Sequence, residues 1–525
     1  MTLRRWALAL WASALALVVQ TPSGARDDVA SRVRALIAGL DLDQARRELA
    51  AADPTDPHVA IERARLALYE LDCDGAATIL ARREVQAIEG SEPLVDVARG
   101  CQRATAALVS DVDDVHGIQI YWQDEHDRVL APLLFETAVA AREALTAHLG
   151  VDWPRPTRIV VVRDLLSLSA MTGLPYDSAR TTGTAAIAKW GRITLLSPRA
   201  SHHGFAWQDT VAHELAHLAI TRASRDRAPL WLQEGVAKRE EVRWREPGPF
   251  DDRPPVDATV ARGMDQGLTL PLDKLGPSIA MLPSADAAAV AFAEVTSFVR
   301  FYAQDDGDAK LRSLMRWLGE GQQPDQALVS ASGLDLEGWD ARWRAYIASR
   351  PRVSAPQLMG LGGKGAGDPA SLRDLRDRAR LAQLLLSGGH PDRALDELAR
   401  INLAGSPVGQ EAWEHATGDP GIRWLRGRAL ELAGRRPEGE ALVADPKDVL
   451  SSYGPWWAMR GRWARLRGDE PAATASFFQA VAADPLDGEA ACESVDESDS
   501  PPDASSRPAL CAAARAWPEP PFDAD

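Results

Sequence analysis

Val211-Ala212-His213-Glu214-Leu215-Ala216-His217-Leu218 is the stretch on which the reading of this chain turns. It lies in Trp207–Thr221, a segment without Pro or Gly and rich in helix formers, and is expected to be helical. On a helix His213 and His217 fall one turn apart on one face, so both imidazoles can reach a single metal ion. Glu214 stands beside them, placed to act as a general base on water. Downstream comes Glu234, inside Pro229-Leu230-Trp231-Leu232-Gln233-Glu234-Gly235-Val236-Ala237. A carboxylate on a second helix packed across the first would complete a His2Glu set with a fourth position open.

Outward from this core, residues 115–350 carry both strand and helix signals. Gly117–Gln123, Thr157–Val162 and Gly191–Leu196 read as short strands, and Leu130–Leu149 as a long amphipathic helix. Helical patterns then run from Trp207 to Tyr346. A small sheet followed by helices is an α+β pattern.

The order of these parts carries a resemblance. The strand Ile193–Leu196, the Ser197-Pro198-Arg199 element, the H-E-x-x-H helix and the P-x-W-L-x-E-G-x-A segment at Pro229–Ala237 resemble the gluzincin group of zinc metallopeptidases. The closer likeness is to the bacterial peptidase-MA-like domain family, whose members are often fused to tetratricopeptide repeats. The resemblance implies a catalytic domain at 112–350. One Zn2+ per chain would be held by His213, His217 and Glu234, with Glu214 as general base. A peptide or protein substrate would add as a strand along Gly191–Leu196.

The likeness has two departures. The family commonly carries a Tyr on a later helix, whose hydroxyl stabilises the oxyanion. The matching stretch here is Ala291-Phe292-Ala293-Glu294, and Phe292 has no hydroxyl. Loss of one such donor typically costs ~10²–10³ in rate. His202, His203 and Tyr302 are candidate substitutes. The usual acid four residues after the third ligand is replaced by Lys238, leaving Asp209 or Glu241 to orient a ligand. Two readings therefore stand: a hydrolase of reduced activity, or a weakly active or inactive scaffold that binds zinc or peptide. The Gly-x-Met-x-Asn segment by which aminopeptidases of this group hold a substrate amino terminus does not occur.

Helical patterns flank the domain. Residues 26–111 show apolar positions at three- and four-residue spacing, broken at Asp53-Pro54, Asp56-Pro57 and Asp72–Gly75. Residues 371–493 hold a tetratricopeptide-like copy. Trp457-x3-Gly461 precedes Ala473-x3-Phe477-x2-Ala480-x4-Pro485, and weaker copies lie at Gly389–Leu398 and Gly434–Leu442. The fold class expected is multidomain, an α+β gluzincin-like unit flanked by all-α repeats, and the repeats are expected to dock a protein partner or substrate. Residues 351–370 are Pro/Gly-rich and read as a linker, and 494–525 as an irregular tail.

The N-terminus has its own grammar. Arg4 and Arg5 precede the apolar run Trp6–Val19, and Thr21–Ala25 are small residues with a turn breaker. This is a secretory signal pattern, residues 1–25, too short for a membrane span. Export to a periplasmic or extracellular space follows, with no membrane span after signal removal. Four cysteines in two sequence-local pairs, Cys73 with Cys101 and Cys492 with Cys511, suit disulfides there. The formal charge of -16 and the absence of a basic block exclude nucleic acid as a partner.

Overall fold

The computed structural model describes residues 29–200, 205–247, 251, 255–305, 307–350, 378–379, 381–386, 388–400, 420–443, 453–485, 488–493 and 509–513. The expected signal segment, the 351–370 linker, His202-His203 and most of the tail lie outside the described residues.

The described chain is mostly helical around one small mixed sheet, an α+β arrangement. Six helices come first: α1 Val29–Ala38, α2 Leu42–Ala51, α3 Pro57–Tyr69, α4 Cys73–Leu80, α5 Arg83–Gln86 and α6 Glu92–Thr105. Their breaks follow the Asp/Pro signals: Asp56 caps α3 through the His58 amide with Pro57 at the first position, and Asp72 caps α4 through Gly75. Next come strands β1 Val109–Asp113 and β2 Ile118–Trp122, helix α7 Ala131–Leu149 and strand β3 Thr157–Val162. Helices α8 Leu165–Thr172 and α9 Tyr176–Thr182 lead to β4 Ala186–Lys189 and β5 Arg192–Leu196. The remainder is α10 Trp207–Ser224, α11 Leu230–Glu240, α12 Val256–Gln266, α13 Ala285–Tyr302, α14 Gly307–Gly319, α15 Pro324–Ser332 and α16 Leu336–Ser349.

The strand order is β1-β2-β3-β5-β4, with β2, β3 and β5 parallel and both outer strands antiparallel. This corrects the expectation that Gly191–Leu196 is the free edge. That strand is paired on both sides, and β4 is the edge. The short Ala-Ile-Ala-Lys run of β4 carries no clear alternation, which is why its pairing was not legible. β4 and β5 are joined by Trp190-Gly191, both at positive φ (56° and 66°), the signature of a type I′ two-residue hairpin.

Alternation along the strands gives the sheet two apolar faces. Ile120, Trp122, Ile159, Val161, Ile193 and Leu195 face the main core, which α7, α10 and α13 complete. Val160 and Val162 face the other way, into a core shared with α3, α4, α6 and α8. Burying one such side chain is worth ~1.5–3 kcal/mol, so neither face can be left in water. The N-terminal helices thus form a wall of the sheet. Buried Arg192 of β5 donates to the Leu68 carbonyl of α3, and Tyr69 meets the Trp190 ring edge-to-face at 6.1 Å. Cys73–Cys101 ties α4 to α6, and Cys492 pairs with Cys511.

The C-terminal helices form hairpins with their own cores. In Gly454–Leu466 and Glu470–Ala483, Phe477 packs so close to Gly461 that a Cβ there would lie 2.7 Å from the ring. Ala473 and Ala480 are buried on the same seam. The Phe205 amide donates to the Ala483 carbonyl at 3.0 Å, joining this hairpin to the start of α10. Among the described residues no helix is long and apolar enough to cross a membrane.

Helix α11 is pinned from behind. Glu240, with a side chain only 1% exposed, accepts from His148 of α7 at 2.6 Å, from Arg243 at 2.7 Å and from Arg239. Burial alone would raise the Glu240 carboxyl, but His148 and the two arginines hold it below its ordinary value of 4.5. A depressed carboxylate stabilises fully above its unfolded pKa and loses that contribution as pH falls through the lower folded value. Glu240→Gln is therefore expected to lower stability at pH 7 by about 3–5 kcal/mol, the range for breaking a buried ion pair. Urea titrations should show the gap between wild type and variant closing as pH drops below that of the unfolded carboxyl. A gap independent of pH would refute the ionic role.

Candidate metal centre

Helix α10 presents His213 and His217 on one face, with their rings 4.8 Å apart and edge-to-face. Helix α11 crosses it and presents Glu234. His213 Nε2 lies 3.1 Å from His217 Nε2, and Glu234 Oε2 lies 3.6 and 3.5 Å from these two atoms. These three are the group of His, Cys and acidic side chains among the described residues whose atoms converge as a metal site. Bonds of ~2.0–2.2 Å in a tetrahedron put neighbouring ligand atoms roughly 3.3–3.6 Å apart; the two Glu234 distances fall in that range and the 3.1 Å between the imidazole nitrogens is just below it.

Each imidazole is oriented through its other nitrogen. His213 Nδ1 is 3.2 Å from Glu241 Oε2, and His217 Nδ1 is 3.3 Å from Gln233 Oε1. Such partners fix ring orientation and tautomer. Of the two orienting acids considered from sequence, Glu241 meets a ligand. Asp209 instead binds Arg245 at 2.7 Å and the Trp244 indole at 3.0 Å. Gln233 was not singled out from sequence. Its place immediately before Glu234 on the same helix was the available signal.

Glu214 is buried beside the triangle, and its Oε2 accepts the amide of Ala188 on the edge strand. The Leu196 amide bonds the Ala185 carbonyl, so by alternation Ala186 and Ala188 turn their backbone groups away from β5. The open edge of the sheet therefore borders the site at Ala188.

The electrostatics separate the two carboxylates. Burial raises the Glu214 carboxyl. Burial would also raise Glu234, but His217 and His213 hold it far below the carboxylate range. Burial opposes charge on His213, yet hydrogen bonds to Glu234 and Glu241 carry its imidazole up to about 10. Burial likewise opposes charge on His217, and Glu234 overrides it. A carboxylate held in its ionised form beside one of raised proton affinity is the division a metal site with a general base would need. The site so favours positive charge that a dication displacing these protons is electrostatically compatible with it.

Two further elements position the site. Ser197 and Arg199 bind buried Asp127 at 3.0 and 2.7 Å, and Arg199 also binds Asp124, fixing the chain just after β5. Gly235 lets α13 lie directly on α11: a Cβ there would come within 2.5 Å of the Val295 carbonyl oxygen. On the same pair of helices Phe292 lies beside Lys238, whose Nζ is 6.0 Å from its ring centroid. Tyr302, considered as a substitute donor, is fully buried against Trp339 and is not placed to serve the site.

Fold and site together define an α+β domain with an H-E-x-x-H helix and a carboxylate on the next helix that faces both histidines. Residues 137–349 match the family model of the Peptidase MA superfamily, which supports a peptidase-MA-like domain in this chain. The matched segment begins within α7 and contains every residue of the triangle. No curated protein matches the sequence.

If Glu241 and Gln233 orient the imidazoles, Glu241→Gln and Gln233→Leu should each weaken zinc affinity ~10–100-fold. Competition against a chromophoric chelator measures this directly. Affinities equal to wild type in both variants would show that neither side chain orients a ligand.

Proposed function

We propose that the chain is an exported zinc-dependent metallopeptidase that hydrolyses peptide bonds, with Glu214 as general base. The observation that carries this reading is the juxtaposition of a His213–His217–Glu234 triangle close to the size zinc needs, a buried Glu214 and an open strand edge. Zinc held by the three residues would supply Lewis-acid polarisation of a carbonyl and lower the pKa of water towards ~7. A substrate backbone adds antiparallel to β4, where Ala186 offers its outward amide and carbonyl and Ala188 its carbonyl, the Ala188 amide being held by Glu214. Glu214 takes a proton from water as its oxygen attacks the scissile carbonyl carbon. It then delivers that proton to the leaving amine as the C–N bond breaks. Its raised proton affinity suits both halves of this transfer.

The C-terminal hairpins act as the docking surface for a partner or substrate protein. Two disulfides and the N-terminal leader pattern support export.

Phe292 favours a second reading, a zinc- or peptide-binding scaffold with little turnover. Metal analysis beside peptide-library cleavage decides between them. The hydrolase reading expects one zinc per chain, loss of zinc in His217→Ala, and loss of cleavage with zinc retained in Glu214→Gln. Bound zinc without cleavage in wild type would leave the scaffold reading. Stoichiometric zinc in a His213→Ala/His217→Ala double variant would overturn the ligand assignment.

A further inference from the structure

The two positions that depart from the peptidase-MA pattern touch the same small region. Lys238 lies one turn after Glu234 on α11 and so shares its face. Its ammonium ion-pairs with Glu241 Oε1 at 2.5 Å, and the other oxygen of Glu241 is on His213. The same ammonium lies over the Phe292 ring, within the ~6 Å reach of a cation–π contact. Its side chain keeps 32% of its exposure, so it borders solvent rather than the core. Neighbouring cations are committed elsewhere. Arg239 and Arg243 bind Glu240 and Asp308, and Arg245 binds Asp209 and Asp251.

We propose that Lys238 is the oxyanion donor of this site, taking the part that a phenol hydroxyl at the place of Phe292 would play. The inference rests on the hydrolase reading above. A peptide carbonyl under attack gathers negative charge on its oxygen, and a hydrogen-bond donor brought to that oxygen stabilises the charge. An ammonium on a flexible four-carbon stem offers three donors and can turn from Glu241 to the developing oxyanion. It donates hydrogen bonds without giving up its proton, so the proton balance through Glu214 is untouched. The Phe292 ring gives the aliphatic stem and the ammonium a resting surface that does not compete as a donor. Glu241 keeps the ammonium beside His213 between turnovers. Substituting Lys for an acid next to a ligand imidazole and losing the hydroxyl opposite it then become one coupled exchange.

The test uses the full chain in four forms: wild type, Lys238→Met, Phe292→Tyr and the double variant. Each is assayed on a peptide substrate for kcat and KM, and each apoprotein is titrated with zinc against a chelator. Lys238→Met is expected to lower kcat ~10–10²-fold with little change in KM, less than the ~10²–10³-fold loss of a preorganised donor because the ammonium must first leave Glu241. Its zinc affinity should stay within a few-fold of wild type. Phe292→Tyr should recover about tenfold or more of that loss in the Lys238→Met background, and give a smaller gain in wild type, since two donors serving one oxygen are not additive. Unchanged kcat in Lys238→Met overturns the proposal. So does a fall in kcat that comes with ~10–100-fold weaker zinc binding and no recovery by Phe292→Tyr, which would make Lys238 a positioning residue for Glu241. Zinc bound but no cleavage by wild type or Phe292→Tyr removes the hydrolase reading itself, and is distinguishable because all four forms are then silent.

Discussion

His213, Glu214, His217 and Glu234 put two imidazoles and two carboxylates into one volume nearly closed to water. Two buried carboxylates at such range cannot both stay ionised without nearby positive charge. The chain resolves this by asymmetry. Glu234 sits between two ring nitrogens and is stabilised as an anion, while for Glu214 burial outweighs the attraction of His217, His213 and the Ala188 amide and pushes it towards the protonated form. Holding that arrangement against its own electrostatics requires α10 and α11 to be fixed from outside the site. Asp127 with Ser197 and Arg199 holds the chain just after β5, and Glu240 with His148, Arg239 and Arg243 fixes α11 from behind.

The same logic extends to the sheet. β4 is four residues long and paired on one side, so by itself it is a weak element. Its hairpin partner β5 is anchored by buried Arg192, and its turn is packed by Tyr69, so the N-terminal helices brace the strand that meets Glu214. Gly191 is required twice there. The turn needs positive φ, and a Cβ would come 2.6 Å from the Tyr69 ring. What the sequence presents as a helical repeat beside a peptidase-like domain is, in packing terms, a layer of that domain.

The parts legible in sequence are those whose physics is local. His213 and His217 share a face because they are four apart on a helix, and β3 was read to the residue because Ile-Val-Val-Val is buried on both sides. The parts that were not legible depend on partners distant in the chain. β1, Val-Ser-Asp-Val-Asp, lacks alternation, its two valines falling on opposite faces with Val112 exposed, and only its pairing with β2 makes it a strand. β4 is defined by β5 and by Glu214. Tyr302 looked available as a donor because sequence does not show that Trp339 closes over it. Glu241 could be suspected from its offset along α11, whereas Gln233 needed the crossing angle of the two helices to reveal its reach to His217.

Glu241 and Lys238 also show how a site can move an acid along a helix without losing its contact. An acid four residues past Glu234 would approach His213 directly. At seven residues past, the carboxylate starts one turn further away, yet Glu241 still reaches Nδ1 at 3.2 Å. The vacated place is filled by a cation that binds the same carboxylate. Burial would raise Glu241, but Lys238 and His213 hold it at about 2, so it remains an anion across any ordinary pH. Its negative charge is now shared between an ammonium and an imidazole. A ligand histidine facing a shared carboxylate is less basic than one facing a carboxylate to itself, and so donates less to whatever cation it holds. A metal held at the triangle would then keep more of its Lewis acidity, and the ammonium adds positive charge beside the Phe292 ring.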